Sequence, residues 1–143
     1  GILLIADEVI TAFGRLGHFF GSEYFGIRPD LISFAKGVSS GYLPLGGTVI
    51  SDRIADVINA EGGEFAHGYT YSGHPAACAV ALANIRILRD EGVVDRVRNH
   101  TAAYFAERWS GLAEHPLVGE ARSVGLMAGL EIVRNISPVA GIT

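Results

Sequence analysis

The chain has 143 residues, of which 49% are hydrophobic and 18% are charged, and its formal net charge at pH 7 is -4. This composition can build a hydrophobic core and is unlike that of a disordered protein. The negative charge gives no reason to expect binding to nucleic acid or to an anionic membrane. The single cysteine, Cys78, excludes an internal disulfide and argues against a thiolate metal site.

Two features that the sequence lacks lead to an expectation about the cellular location of the protein. No apolar run reaches the roughly 18 residues that a membrane span needs, and no basic segment typical of a signal peptide is visible. We therefore expect a cytoplasmic protein that is not embedded in a membrane.

The first strong pattern is a continuous apolar run at residues 2–6, followed directly by Asp7 and Glu8. Such a run is typical of an interior parallel strand that is buried on both faces. Ligands of open α/β sheets bind outside the carboxyl ends of the strands, where Asp7 emerges. Because too few strand candidates are present to flank an interior strand, we interpret the sequence as an excerpt from a longer polypeptide.

The second pattern surrounds Lys36, the only lysine in the chain. A turn at residues 28–30 leads into a predicted strand at 31–34, and Lys36 follows that strand among apolar and small neighbours. Burial lowers the pKa of an amine and makes it a nucleophile for carbonyl groups. A lysine that only ends a strand is the alternative interpretation of this position.

The remaining sequence alternates predicted strands and helices up to about residue 91, which indicates an α/β fold. A helix followed by two strands comes after that point, and we place a domain boundary near residues 91–92. The predicted elements are a strand at 46–51, helices at 53–60, 74–90 and 94–112, and strands at 118–123 and 126–133.

Three chemical features stand at the ends of these elements. Asp7 ends one strand, Lys36 follows the next, and residues 70–73, beginning with Thr70, lead into the helix at 74–90. Pyridoxal phosphate needs an amine for its aldehyde and a carboxylate for its ring nitrogen. Its phosphate needs donors such as a hydroxyl and the start of a helix. The constellation therefore indicates a pyridoxal-phosphate site.

Three motifs in order give the sequence a family resemblance. They are ADEVITAFGRLG at residues 6–17, AKGVSSGYLPLGG at 35–47 and HGYTYSGHP at 67–75. Over residues 2–134 the chain resembles class III aminotransferases, which are fold-type-I pyridoxal-phosphate enzymes that include ω-amino acid:pyruvate aminotransferases. The resemblance implies an α/β fold. Residues 1–91 would then be part of the large cofactor-binding domain, and 92–143 the beginning of the small C-terminal α+β domain.

The resemblance also implies roles for four residues. Lys36 would form the Schiff base with pyridoxal phosphate and then act as the base that moves the substrate proton. Asp7 would pair with the pyridinium nitrogen, and Val9 would pack on one face of the ring. Thr70 would bind the phosphate of the cofactor in the neighbouring subunit, which implies a homodimer. The implied reaction moves an amino group from an ω-amino acid or primary amine to a 2-oxo acid such as pyruvate.

Several alternatives stay open at the level of sequence. Residues 2–8 also fit a Walker B strand of an ATPase, in which Asp7 would bind Mg²⁺ and Glu8 would activate water. Another pyridoxal-phosphate reaction, such as that of an aminomutase or decarboxylase, uses the same scaffold. A third alternative is a truncated, non-catalytic chain. Arg122 and Arg134 are default candidates for binding a substrate carboxylate, and we expect no metal site.

Overall fold

The computed structural model describes residues 1–60, 62 and 65–134. Three short strands form one sheet in the order β1-β2-β3. They are β1 (Ile5–Asp7), β2 (Leu31–Phe34) and β3 (Gly47–Ile50). β1 and β2 are parallel, with Asp7 opposite Ser33, and β3 pairs with β2 in the antiparallel direction. The segments that follow β1 and β2 therefore leave the sheet at the same edge.

The helices predicted at 53–60 and 74–90 lie close to their predicted positions. The helices of the structure are α1 (Gly21–Tyr24), α2 (Asp52–Ala60), α3 (Pro75–Asp90), α4 (Val93–Arg96) and α5 (Ala102–Ser110). The helix predicted at 94–112 is present as one continuous helical stretch, in which a wider π-type turn, Val97–Thr101, connects α4 to α5. A 3₁₀ turn, Gly111–Glu114, follows α5. The expected mixture of strands and helices is confirmed.

The last two predicted strands form an antiparallel hairpin. These strands are β4 (Val118–Val124) and β5 (Met127–Ile132), and together they make a second sheet. The hairpin packs on α5, where the indole N–H of Trp109 donates to the backbone oxygen of Gly129 (3.3 Å). The hairpin and the helical segment before it therefore form one packed unit.

The loop after β1 joins this unit to the first sheet. The N–H of Leu126 donates to the backbone oxygen of Arg15 (2.9 Å), and Nε of Arg98 donates to that of Gly17 (2.7 Å). A Cβ at Gly125 would lie 2.6 Å from a backbone atom of the same loop, so only glycine permits this approach. The two parts of the chain are thus in direct contact on either side of the predicted boundary.

The prediction that residues 2–6 form a strand buried on both faces is wrong for this chain. The strand includes only Ile5–Asp7, and isoleucines both before and within it are open to solvent, with 98% of Ile2 and 63% of Ile5 exposed. The physical reason is that β1 has a strand neighbour on one side only. Too little of the described chain packs over its faces to cover the run.

Glu8 holds the loop after β1 in place. Its carboxylate is buried and accepts hydrogen bonds from the backbone N–H of Gly21, the backbone N–H of Ser22 (2.7 Å) and the hydroxyl of Thr11 (3.0 Å). Burial by itself would raise the pKa of Glu8, but the hydrogen bonds from Ser22, Gly21 and Thr11 bring that pKa below its ordinary value of 4.5. The charged form of Glu8 therefore stabilises the fold.

We expect Glu8→Gln to lower the free energy of unfolding of the whole protein by about 1–3 kcal/mol at neutral pH. The amide has one acceptor oxygen instead of two, and it turns an N–H group towards backbone donors. Denaturant unfolding measures the change. The matched control is Glu107→Gln, an exposed position on α5, which should leave the midpoint unchanged.

The same pair should show a defined pH dependence. Because the pKa of Glu8 is lower in the folded state, its contribution is fully present above 4.5 and is lost as pH falls through the folded pKa. The stability difference between wild type and Glu8→Gln should therefore shrink in acid. A difference that keeps its full size far below 4.5 would contradict this account of Glu8.

Candidate active site

Asp7 presents a carboxylate at the carboxyl edge of the first sheet. Its Oδ1 accepts a hydrogen bond from the backbone N–H of Val9 (3.1 Å) and one from the hydroxyl of Ser33 (3.3 Å). Its Oδ2 accepts no hydrogen bond from any residue that the structure describes, and the side chain is exposed. The carboxylate is thus oriented through one oxygen while the other is open to a ligand. Val9 lies beside it and is half-buried.

Lys36 begins a 3₁₀ turn, Lys36–Val38, just beyond β2. Its backbone adopts a left-handed conformation with φ of 41°. The side chain is exposed, so the predicted burial of Lys36 is wrong for this chain. The reason is that the amine leaves the sheet at an edge that the described chain does not cover. Lys36 lines a cavity of about 220 Å³ together with Phe13 and Arg15.

The strand register brings Asp7 and Lys36 to one place. Asp7 lies opposite Ser33 on the neighbouring strand, and strands in a sheet are about 5 Å apart. Lys36 follows Ser33 by three residues, which span at most about 11 Å of chain. A carboxylate with an available oxygen and an exposed primary amine therefore stand at the same sheet edge. These are the two groups that the ring nitrogen and the aldehyde of pyridoxal phosphate require, so the residues present fit that cofactor.

Thr70 is not brought to the other three residues within this chain. It begins an exposed turn before α3, between the exposed rings of Tyr69 and Tyr71. It lines neither the cavity of about 220 Å³ nor a second cavity that Lys36 lines with Ser39 and Leu43. Its predicted contact with a cofactor of a neighbouring subunit stays a prediction.

The default candidates for a substrate carboxylate lie apart from Lys36. Arg122 on β4 forms an exposed ion pair with Glu120 (2.7 Å), and Arg134 is exposed beyond β5. Neither lines a cavity with Lys36. Within the described ranges, no group of three or more His, Cys, Asp or Glu side chains could hold a metal ion. No helix there combines the length and apolar character that crossing a bilayer requires.

The Walker B interpretation of residues 2–8 is wrong. Glu8, which would have to activate a water molecule, is 3% exposed, and both of its oxygens accept hydrogen bonds from backbone N–H groups. The carboxylates of Asp7 and Glu8 also have different partners, since Asp7 accepts from Val9 and Ser33, while Glu8 accepts from the start of α1. The two carboxylates therefore have different tasks.

Two residues in the site region, Ser33 and Asn84, and one at the opposite end of the sheet, Asp30, have roles that were not predicted from the sequence. Ser33 orients Asp7, and only the register of β1 against β2 reveals it. Asp30 accepts hydrogen bonds from the N–H of Leu4 (2.8 Å) and from Arg53 (2.6 Å), which lower the pKa of Asp30, the Leu4 bond most strongly. Asn84 on α3 binds the turn after Lys36. The sequence does single out Asn84, because it is the only amide side chain among the apolar residues 75–85.

Comparison with known proteins gives the same family. The model of the family described as aminotransferase class III matches residues 1–139. The putrescine–pyruvate aminotransferase of Pseudomonas aeruginosa is 60% identical over 134 residues, which are 94% of this chain and 29% of that protein. A mitochondrial gamma-aminobutyrate transaminase 1 of Oryza sativa is 50% identical over 140 residues, or 96% of this chain and 27% of that protein.

The fold agrees with crystal structures of the same kind. A thermostable (S)-enantioselective omega-transaminase from Thermomicrobium roseum superposes with a TM-score of 0.89 at 50% identity, covering 94% of this chain and 30% of that one. The chain belongs to the class III aminotransferase family, whose members depend on pyridoxal phosphate. It spans less than a third of the length of the relatives that it matches. The predicted family and the expected fold-type-I α/β architecture are confirmed.

Proposed function

We propose that the whole protein containing this chain is a pyridoxal-phosphate aminotransferase. The observation that carries the proposal is the placement of Asp7 and Lys36 after two neighbouring parallel strands, at one edge of the sheet. Membership of the class III family supports the same reaction type. An aminomutase or decarboxylase would use the same residues, so product analysis must accompany any assay.

In this proposal each residue has a defined task. When bound, pyridoxal phosphate supplies an aldehyde that joins amines and a ring that accepts electrons. Asp7, held through Oδ1 by Val9 and Ser33, would keep the ring nitrogen protonated with Oδ2. Lys36 would hold the aldehyde end and, once released, take the proton from the substrate carbon with its Nζ. Val9, next to Asp7, would pack against the ring.

The substrates that we propose are an ω-amino acid or primary amine as donor and a 2-oxo acid such as pyruvate as acceptor. Support comes from the names of the relatives, since one uses putrescine with pyruvate and another uses gamma-aminobutyrate. Both donors carry the reacting amine at the end of an aliphatic chain.

We also propose a homodimer in which Thr70 of one subunit binds the cofactor phosphate held by Lys36 of the other. Thr70 lies in an exposed aromatic segment of this chain and lines neither of the two cavities described above. A threonine hydroxyl near a helix start suits a phosphate. If each subunit supplied Thr70 to its neighbour, the hydroxyl would bind a phosphate although it lines no cavity with Lys36 of its own chain.

We also propose a domain boundary near residues 91–92 and a cytoplasmic location. A boundary near residues 91–92 is supported by the end of α3 at Asp90 and by the left-handed backbone of Gly92, with φ of 60°. A cytoplasmic location rests on the sequence pattern alone.

We expect Lys36→Ala to abolish covalent attachment of the cofactor and to reduce turnover by about 10²–10⁴-fold or more, because both the nucleophile and the base are lost. Wild type mixed with pyridoxal phosphate should gain a visible absorbance band that an amine donor removes. Borohydride trapping and peptide mass mapping should place the cofactor on Lys36. The control Arg108→Ala, on the exposed face of α5, should behave as wild type.

Two results would overturn this assignment. One is near wild-type turnover in Lys36→Ala. The other is a wild-type protein that acquires no cofactor band, which would favour the non-catalytic alternative.

Mixing two inactive variants tests the shared site. We expect Lys36→Ala and Thr70→Ala subunits to recover activity when they are dissociated and mixed, because one site of each mixed dimer would contain both native residues. If Thr70 acted within its own chain, no mixed dimer would have an intact site. Mixtures that stay as inactive as the parent variants, while native mass spectrometry shows mixed dimers, would contradict the proposal.

A further inference from the structure

The turn that carries Lys36 is held in an unfavourable backbone conformation. Lys36 has φ of 41° and Ser40 has φ of 48°, and both lie in the left-handed region that residues with a side chain rarely adopt. Such a conformation persists only where the surrounding structure imposes it. The contacts of residues 37–39 must therefore supply that restraint.

One side chain, Asn84, supplies it from α3. Its Nδ2 donates to the backbone oxygens of Gly37 (2.9 Å) and Val38 (3.0 Å), and its Oδ1 accepts from the hydroxyl of Ser40 (2.7 Å). Both the nitrogen and the oxygen of the amide are therefore bonded to the segment that follows Lys36. α3 is a 16-residue helix, which makes it a rigid support for this contact.

The opposite side of the turn rests on the loop that follows Asp7. A Cβ at Gly37 would lie 3.1 Å from the backbone oxygen of Ala12 and 3.1 Å from Cβ of Phe13. The Phe13 ring in turn packs edge-on against Phe34 at the end of β2, with centroids 5.6 Å apart. The turn is thus clamped between Asn84 and a loop connected to the other half of the candidate site.

We propose that Asn84 is a positioning residue, which sets the direction in which the amine of Lys36 leaves the sheet edge towards the cofactor. This inference rests on the proposed function. The amide is suited to the task because it combines two donors and one acceptor in a single plane. Aspartate has the same shape but cannot donate to the two carbonyl groups. It also adds a negative charge, which Ser40→Ala does not, so the two variants together separate the lost hydrogen bonds from the added charge.

The test uses the whole protein with Asn84→Asp and, as a matched control, Asn99→Asp at an exposed position before α5. We expect Asn84→Asp to weaken the binding of pyridoxal phosphate by about tenfold, because a turn released from Asn84 must be ordered again when the cofactor binds. It should also shift the pH midpoint of the absorbance band of lysine-bound cofactor and slow borohydride-trapped labelling of Lys36. Asn99→Asp should leave all three unchanged.

A second variant guards against a folding defect. Ser40→Ala removes only the exposed hydroxyl that binds Oδ1 of Asn84, and it should shift the pH midpoint in the same direction by a smaller amount. A purely structural role would lower the thermal unfolding midpoint of both variants without moving the pH midpoint, and that result would overturn the inference.

The outcomes separate this inference from the proposed function. If wild type binds no cofactor, both fail. If wild type binds the cofactor on Lys36 and Asn84→Asp matches it in affinity, labelling rate and pH midpoint, the role of Asn84 is wrong while the aminotransferase proposal stands.

Discussion

The parallel pairing of β1 with β2 is the constraint on which the site depends. It sets Asp7 opposite Ser33, and Lys36, three residues after Ser33, therefore lies at the same edge of the sheet. An antiparallel pair would place the carboxylate and the amine at opposite ends of the sheet. Only four residues of β2 and three of β1 enforce this arrangement, so the segments around them must hold it.

Buried and half-buried polar side chains hold the segments around β1 and β2 in place. Glu8 fastens the loop after β1 to the start of α1, and Asn84 fastens the turn after Lys36 to α3. Asp30 joins the entrance of β1 to Arg53 on α2. In each case a side chain satisfies backbone groups that no strand or helix partner reaches. Asp7 differs from these, because one of its oxygens accepts nothing from the described residues and is open to a ligand.

Sequence patterns predicted the elements well and the long-range contacts poorly. The apolar runs, the helical periodicity and the turn at residues 28–30 located β2, α3 and the hairpin, because local periodicity and turn chemistry dictate them. The burial of Lys36 was predicted wrongly, since burial depends on what covers the sheet edge. The roles of Ser33 and Asn84 were missed because each contact joins segments that only the fold brings together, 26 and 47 residues apart.

The most direct test of the account is nitrogen-15 NMR of ring-labelled pyridoxal phosphate bound to the whole protein, compared between wild type and Asp7→Asn. If Asp7 and Lys36 hold the two ends of one ring, the ring nitrogen should be protonated in wild type at neutral pH and unprotonated in the variant, while the cofactor stays bound to Lys36 in both. A ring nitrogen with the same protonation state in both proteins would contradict the account.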